Sequence, residues 1–146
     1  MAGNPLINQG TLNRLKGSIV VPGNTALNCT SSYLGKSMIS LTLEGNAVEY
    51  IPTAAGAVPS QEPYMMATVK FDALKTNGFG NIWKTQLELN SYLGDITVIA
   101  DTSSLGNHTI ANASIESIGE LPFDGTSAAY SVTLRGVYYI NSAMWS

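Results

Sequence analysis

The segment ISLTLEGNAVEYIP, residues 39–52, carries the pattern that decides the fold class. Apolar and polar residues alternate from Ile39 to Glu44, a period of two that is typical of a β-strand with one buried face. The pair Gly45-Asn46 can adopt positive φ angles, and a second apolar run follows it. The segment therefore predicts an antiparallel hairpin with one apolar and one polar face.

A long, nearly uncharged connection follows this predicted hairpin. The segment PTAAGAVPSQEP, from Pro52 to Pro63, consists mainly of Ala, Val, Pro and Gly, and Glu62 is its single charged residue. Turns that only reverse the chain are usually short and built from Gly, Asn, Asp and Ser. The composition predicts a loop over residues 52–63 that contacts another surface, and the alternative is a flexible exposed loop.

Further strand patterns flank this region. They cover residues 17–23, 64–72, 95–100, 108–121 and 128–140. In the fourth of these segments the alternation slips near Ser117, which indicates a β-bulge or two joined strands. Asp124-Gly125 lies between the last two segments and predicts the turn of a hairpin.

One segment, NIWKTQLELNSYLG at residues 81–94, changes to a helical period. Its apolar arc has Ile82, Leu89 and Leu93 on one line, with Trp83 and Leu87 beside it. Gly94 is a natural helix stop, so the pattern predicts one helix over about residues 80–93. The element order is mainly antiparallel β, which favours a β-sandwich or barrel with one flanking α-helix.

The composition favours a single domain that assembles with other chains. Of 146 residues, 45% are hydrophobic and only 12% are charged, about half the usual charged fraction. A weakly charged surface favours contact with another protein. Residues 1–16 mix polar and spaced aliphatic residues, which predicts either an arm that orders against a neighbour or a disordered end. Residues 17–146 would then form the domain.

Charge, cysteine count and hydropathy argue against several classes of protein. The net charge is −3 and the seven Lys and Arg residues are scattered, so no basic stripe for gripping nucleic-acid phosphates is visible. A lone cysteine, Cys29, cannot form an intramolecular disulfide. We expect neither a secretory signal nor membrane insertion, and synthesis and folding in a cytoplasm, because no leader pattern or membrane-length apolar run is present.

The residues that could carry chemistry are few. His108 is the only histidine and Cys29 falls in a different loop, so neither a zinc site nor a Cys–His pair is favoured. Glu44 with Glu49, and Glu116 with Glu120, could bring carboxylates together, but glycosidase chemistry also needs exposed aromatic platforms. Most aromatic residues fall on core positions. We therefore predict no enzyme activity, no catalytic or metal residues and no cofactor.

Three stretches resemble a bacteriophage tail tube protein of contractile-tailed, myovirus-type phages. They are INQGTLNRLKGSIVVPGNTALN (residues 7–28), SYLGKSMISLTLEGNAVEYIPTAAGAV (32–58) and YSVTLRGVYYINSAMW (130–145). The resemblance covers nearly the whole chain in the same order and at a similar length, and it rests on overall pattern. It also implies a kinship in fold with the haemolysin-coregulated tube protein of type VI secretion.

The resemblance implies a structural virion protein. Six β-sandwich subunits would form a hexameric ring whose inner strands join into a continuous β-barrel, and the rings would stack into the inner tail tube. The implied partners are further copies of the chain, the tail sheath protein and phage DNA, which is ejected through the lumen without specific binding. The protein would be synthesised in the host bacterial cytoplasm and located in the phage tail of the virion.

The resemblance also implies two groups of functional residues. The arm and the long loop would reach the adjacent ring, and the inter-ring candidates are Leu6, Ile7, Leu12, Pro52, Ala54, Ala55, Ala57, Val58 and Pro59. A neutral to negative wall would let DNA slide, and the lumen-lining candidates on polar strand faces are Ser40, Thr42, Glu44, Glu49 and Glu116. Lys70 and Arg135 also fall on polar faces and oppose a uniformly acidic wall unless they are paired or turned outward.

A second function class remains open on the sequence alone. A small β-sandwich binding module, such as a carbohydrate-binding or adhesin domain, would need an exposed aromatic platform. Tyr138, Tyr139 and Trp145, near the C-terminus, are the candidates for it.

Overall fold

A computed structural model describes residues 17–76, 78–99 and 105–145. These residues form mainly antiparallel β-structure in a curled half-barrel sheet with one helix, as the patterning predicts. The elements are β1 (Ser18–Val20), β2 (Leu34–Glu44), β3 (Val48–Pro52), β4 (Ala57–Gln61), β5 (Tyr64–Leu74), α1 (Phe79–Leu89), β6 (Tyr92–Ile99), β7 (Asn107–Ile118) and β8 (Ala129–Tyr139). Short 3₁₀ turns cover Thr25–Leu27, Ser31–Tyr33 and Ser142–Trp145.

Six of the strands form one sheet in the order β1-β6-β7-β8-β5-β2, and every pairing is antiparallel. β5 and β8 pair along their full length, from Tyr64 opposite Tyr139 to Leu74 opposite Ala129. At about 3.4 Å per residue these two ends lie roughly 34 Å apart. We call the end at Tyr64 the hairpin end and the end at Leu74 the loop end.

One face of this sheet carries the core. Val69 and Phe71 of β5 and Leu134 of β8 are buried, in the alternation that the sequence predicts. Trp83 of α1 is fully buried and meets Phe71 edge to face, with ring centroids 5.0 Å apart. The helix therefore covers the apolar face, because that face would otherwise remain in water.

The predicted hairpin around Gly45-Asn46 is wrong. β2 pairs with β5, with Glu44 opposite Met66, whereas β3 pairs with β4 in a separate two-stranded sheet. Gly45 adopts a φ of 94° at the point where the chain leaves the sheet. β5 offers a long strand with a continuous apolar face, while β3 has five residues and ends at a proline. Burial of the apolar face of β2 therefore selects the more distant partner.

The connection over residues 52–63 is not an irregular loop. Pro52 ends β3, and the Thr53 amide donates a hydrogen bond to the Gly56 carbonyl at 2.8 Å, which closes the turn. β4 begins at the next residue, Ala57, and runs back along β3. Prolines argue against central strands, but a two-stranded ribbon has two outer edges that need no donor. Pro52 and Pro59 are thus compatible with a hairpin here, which we call the β3–β4 hairpin.

The helix is shorter than predicted and buries a different line of residues. It ends at Leu89, and Gly94 lies inside β6 with a φ of 82°. Ile82 and Leu89 are exposed, whereas Trp83 is buried. Two contacts explain the difference, one at each end of the helix.

At the start of α1, Gly80 is buried and leaves space that the Tyr130 ring occupies, which fixes the buried face of the helix. After the helix, the Ser91 carbonyl accepts a hydrogen bond from the Ile115 amide at 2.8 Å. This bond draws the chain into β6, so the helix cannot continue to Leu93.

The strand β7 contains two irregularities. Its register with β8 shifts between Ile115 and Ser117, which confirms the slip predicted near Ser117, and it shifts again between Ala111 and Ser114. Asn112 lies at the second shift and adopts a φ of 52°. β7 and β8 pair with each other, which confirms the predicted hairpin, and Asp124-Gly125 lies in its connection over residues 119–128, longer than the gap over 122–127 between the predicted segments.

Candidate functional site

The face of the six-stranded sheet opposite the core is largely polar. Cross-strand pairing aligns Thr42, Thr68, Arg135 and Ser114 across four adjacent strands. We call the part of this surface on β2, β5, β7 and β8 the polar face, and its polar members are Ser40, Thr42, Glu44, Thr68, Lys70, Asp72, Thr109, Ser114, Glu116, Ser117, Ser131, Thr133 and Arg135. Since these side chains do not enter the core, the polar face is free to contact solvent or a passing molecule.

Arg135 at the centre of the polar face is held by two carboxylates. Its Nη2 donates to Glu44 Oε2 at 2.7 Å, and its Nη1 lies 3.7 Å from Glu116 Oε2. Thr68 Oγ1 donates to the other Glu44 oxygen at 2.6 Å. Two interactions lower the pKa of the Glu44 carboxyl below its usual range. The larger is the hydrogen bond from Thr68, and the positive charge of Arg135 adds to it.

The charges on the polar face nearly cancel. Glu44, Asp72 and Glu116 oppose Lys70 and Arg135, so three carboxylates against two cations leave one negative charge. The ion pairs with Arg135 occupy its guanidinium, whereas Lys70 is exposed and forms no ion pair within the described residues. The surface is therefore not a cationic site of the kind that grips phosphates.

The structure brings together four of the five lumen-lining candidates. Ser40, Thr42, Glu44 and Glu116 share the polar face. Glu49 lies on β3, opposite Ser60 of β4, and does not belong to that face. The alternation of the strands predicted that the first four lie on polar strand faces, but alternation cannot reveal that β3 leaves the sheet.

The β3–β4 hairpin is apolar and exposed on both faces. Tyr50 lies opposite Pro59 and Ile51 opposite Val58, so the two pairs project from opposite faces of the ribbon. Tyr50 is 66% exposed, Ile51 51% and Val58 53%. A lone two-stranded hairpin is marginally stable in water, and no third strand pairs with this one in the described part of the chain.

The inter-ring candidates fall into two groups. Those from the predicted loop all lie on the β3–β4 hairpin or its tip and are exposed: Pro52, Ala54, Ala55, Ala57, Val58 and Pro59. Leu6, Ile7 and Leu12 lie outside the described residues.

The base of the hairpin is fixed to the end of β8. Asn141 Nδ2 donates to the carbonyl of Glu62 at 2.8 Å and to that of Ala47 at 3.3 Å, and the Ile140 amide donates to the Pro63 carbonyl at 3.1 Å. Asn141 adopts a φ of 51°, which asparagine tolerates better than most residues. Sequence patterning missed this anchor because it joins residues about eighty positions apart.

Exposed aromatic residues adjoin this base. Tyr64 and Tyr139 are paired across β5 and β8, and the Tyr139 and Trp145 rings meet nearly at right angles with centroids 5.9 Å apart. Tyr138 is half-buried beside His108 and does not join them. We give the exposed apolar side chains of the hairpin, on both of its faces, and those at its base one collective name, the terminal apolar surface: Tyr50, Ile51, Val58, Tyr64, Tyr139, Met144 and Trp145.

Reactive groups are sparse in the part of the chain that the structure describes. Burial raises the pKa of the Cys29 thiol to about 12, so the nucleophilic thiolate is suppressed. Across residues 17–76, 78–99 and 105–145, no cluster of three or more His, Cys, Asp or Glu side chains could hold a metal ion. In the same ranges no helix combines the length and the apolar character needed to cross a membrane.

Neither the protein-family models nor the curated proteins searched for similarity match this chain.

Proposed function

We propose that this chain is a structural subunit that self-assembles into stacked hexameric rings and forms the inner tail tube of a contractile-tailed phage. The observation that carries the proposal is the anchored β3–β4 hairpin, which exposes apolar side chains on both of its faces. Burial of apolar surface stabilises a protein or an interface by roughly 25 cal/mol for each Å² removed from water. Another copy of the chain can supply the cover that the described residues of this copy do not.

The β2 edge of the main sheet, which pairs with no further strand among the described residues, supports lateral association into a ring. β2 is an edge strand of eleven residues whose only charged residues are Lys36 and Glu44. Long edge strands with few charges tend to pair with another chain. A ring of six subunits would close these edges and continue the sheet into a barrel, in agreement with the resemblance to tail tube proteins.

The polar face supports the role of lumen wall. The polar face carries one net negative charge, and two carboxylates pair with Arg135. Little positive charge therefore remains to bind phosphates. DNA could then pass without specific binding, and the chain would need no enzymatic activity and no cofactor. The opposite side of the ring would be available to the tail sheath protein.

Electron microscopy of the purified protein tests the assembly directly. We expect rings or tubes at high protein concentration, and a chain that stays monomeric would contradict the proposal. Val58→Lys should abolish tubes, because it places a charge within the surface to be buried. Leu89→Lys is the matched control, since Leu89 is also exposed but lies on α1.

The lumen assignment has its own test with assembled tubes. Thr42→Lys combined with Glu116→Lys should preserve the tubes and make them retain short duplex DNA at low salt, measured by fluorescence anisotropy. Thr85→Lys combined with Glu88→Lys, at exposed positions of α1, is the charge-matched control, because both residues lie off the polar face and off the hairpin. Equal DNA retention by the control and the polar-face variant would reject the polar face as the lumen wall.

A binding module remains the second candidate because Tyr139 and Trp145 are exposed. Their rings are nearly perpendicular, however, whereas a sugar platform presents a flat aromatic face. Carbohydrate binding by a monomeric chain that Trp145→Ala abolishes would favour this candidate over the tube.

A further inference from the structure

A lysine organises the connection between β7 and β8, at the loop end of the sheet. Lys75 Nζ donates to the carbonyl of Pro122 at 2.9 Å and to that of Asp124 at 2.8 Å. These two residues flank Phe123. The backbone on both sides of Phe123 is therefore held by one side chain from the end of β5.

Asp124 closes the same loop from the other side. One carboxylate oxygen accepts the Thr126 amide at 2.9 Å and the Ser127 amide at 2.7 Å. These backbone hydrogen bonds lower the pKa of Asp124 to about 2, so the carboxylate remains charged over the physiological range. The loop is ordered by polar contacts that make no use of the Phe123 side chain.

Phe123 itself is 96% exposed, the highest value among the exposed large hydrophobic side chains of the described residues. A large apolar side chain gains nothing from such a position in the isolated chain. Aromatic residues that project from a pre-ordered backbone are suited to anchor an interface, because little conformational entropy remains to be lost on docking.

A receiving surface of suitable size lies at the opposite end of the same strands. The terminal apolar surface has seven large apolar side chains, each between 46% and 66% exposed. With on the order of 150–250 Å² for a whole large side chain, they expose roughly 600–950 Å² in total, divided between the two faces of the hairpin and its base. That area matches one side of a standard protein–protein interface.

We propose that the Phe123 loop of one copy docks onto the terminal apolar surface of the next copy along the tube. This inference rests on the proposed function and identifies the two surfaces that stack. The surfaces are different and lie at opposite ends of β5 and β8, so the contact is head-to-tail and repeats without closing. The same chain thus carries both halves of the axial interface.

Cysteine cross-linking of two variants in one mixture tests the pairing of surfaces. Phe123→Cys chains mixed with Tyr50→Cys chains should give a disulfide-linked heterodimer under mild oxidation, identified by mass spectrometry of the linked peptides. Cys29 is buried and does not compete. Disulfides that join two Phe123→Cys chains, or two Tyr50→Cys chains, in place of the heterodimer would indicate a symmetric contact and overturn the proposal.

Phe123→Ala separates this inference from the proposed function. It should leave rings intact and raise the protein concentration needed for tubes by about tenfold or more. Leu89→Ala, the matched control on α1, should assemble like the unaltered chain, and circular dichroism should show both variants folded. Tubes of Phe123→Ala at the usual concentration overturn the docking proposal alone, whereas an unaltered chain that forms no assembly overturns both.

Discussion

The six-stranded sheet and the β3–β4 hairpin are built from similar strands and differ in where their apolar residues go. Phe71 and Leu134 of the sheet are fully buried beneath α1, whereas Tyr50 and Val58 of the hairpin are more than half exposed. Both regions pair by regular antiparallel registers. The sheet buries its apolar residues within one chain, and we propose that the hairpin buries its own in contact between chains.

The largest expected effect comes from truncating a side chain in the buried core of the six-stranded sheet. Phe71→Ala should lower the free energy of unfolding by about 3–5 kcal/mol, because it removes a ring packed against Trp83 and leaves a cavity. Urea denaturation followed by circular dichroism measures the change. Tyr50→Ala is the counterpart on the hairpin and should stay within about 0.5 kcal/mol of the unaltered chain. Equal losses for the two variants would remove the distinction between the regions.

Two glycines give a second, smaller contrast. A Cβ at Gly136 would meet the Ile110 side chain and lie 3.0 Å from the Ala111 carbonyl oxygen, so Gly136→Ala should cost about 1–3 kcal/mol. Gly56 at the hairpin tip has open space around its Cβ position. Gly56→Ala should therefore leave the thermal midpoint nearly unchanged, and a drop as large as that of Gly136→Ala would contradict the exposed placement of the hairpin.

A pH titration tests the ordered loop that carries Phe123. The pKa of Asp124 is about 2 in the folded chain, below its ordinary value of 3.8. Its stabilisation of the loop is thus fully present above pH 4 and is lost as the pH falls through 2. Nuclear magnetic resonance of the Asp124 carboxyl should show this low midpoint, and a midpoint near 3.8 would mean that the capping bonds are absent.

The smallest effect concerns the polar face. The pKa of Glu44 is lowered chiefly by Thr68 and secondarily by Arg135, so its contribution to stability is present above its unfolded pKa and is lost as the pH falls through its folded pKa. Thr68→Val should raise the pKa of Glu44 more than Arg135→Gln does. Carboxyl titration by nuclear magnetic resonance compares the two variants, and the reverse order would assign the main effect to the arginine charge.

The sequence was sufficient for features that depend on local periodicity. Alternation predicted strands over residues 64–72 and 128–140, in which Val69, Phe71 and Leu134 are buried, and it put Thr42 on a polar face, while the break in alternation located the bulge at Ser117. Each of these outcomes follows from neighbours along one strand. Their partners across the sheet did not have to be known.

Features chosen by distant contacts could not be predicted. Gly45-Asn46 suits a local turn, but β2 pairs with β5 because that strand provides the matching buried face. The contact between Gly80 and Tyr130 selects the buried face of α1 over the line through Leu89. The Phe123 loop depends on Lys75, forty-seven residues away from Pro122. None of these pairs leaves a periodic signal.

Hydrogen–deuterium exchange of the hairpin tests the central claim most directly. Amides of residues 48–61 would be compared in dilute protein and in concentrated, assembled protein. We predict rapid exchange in the dilute sample and strong protection on assembly, because the next copy would cover both faces of the hairpin. Rapid exchange of these amides at every concentration would show that the hairpin stays in solvent and would contradict a role in assembly.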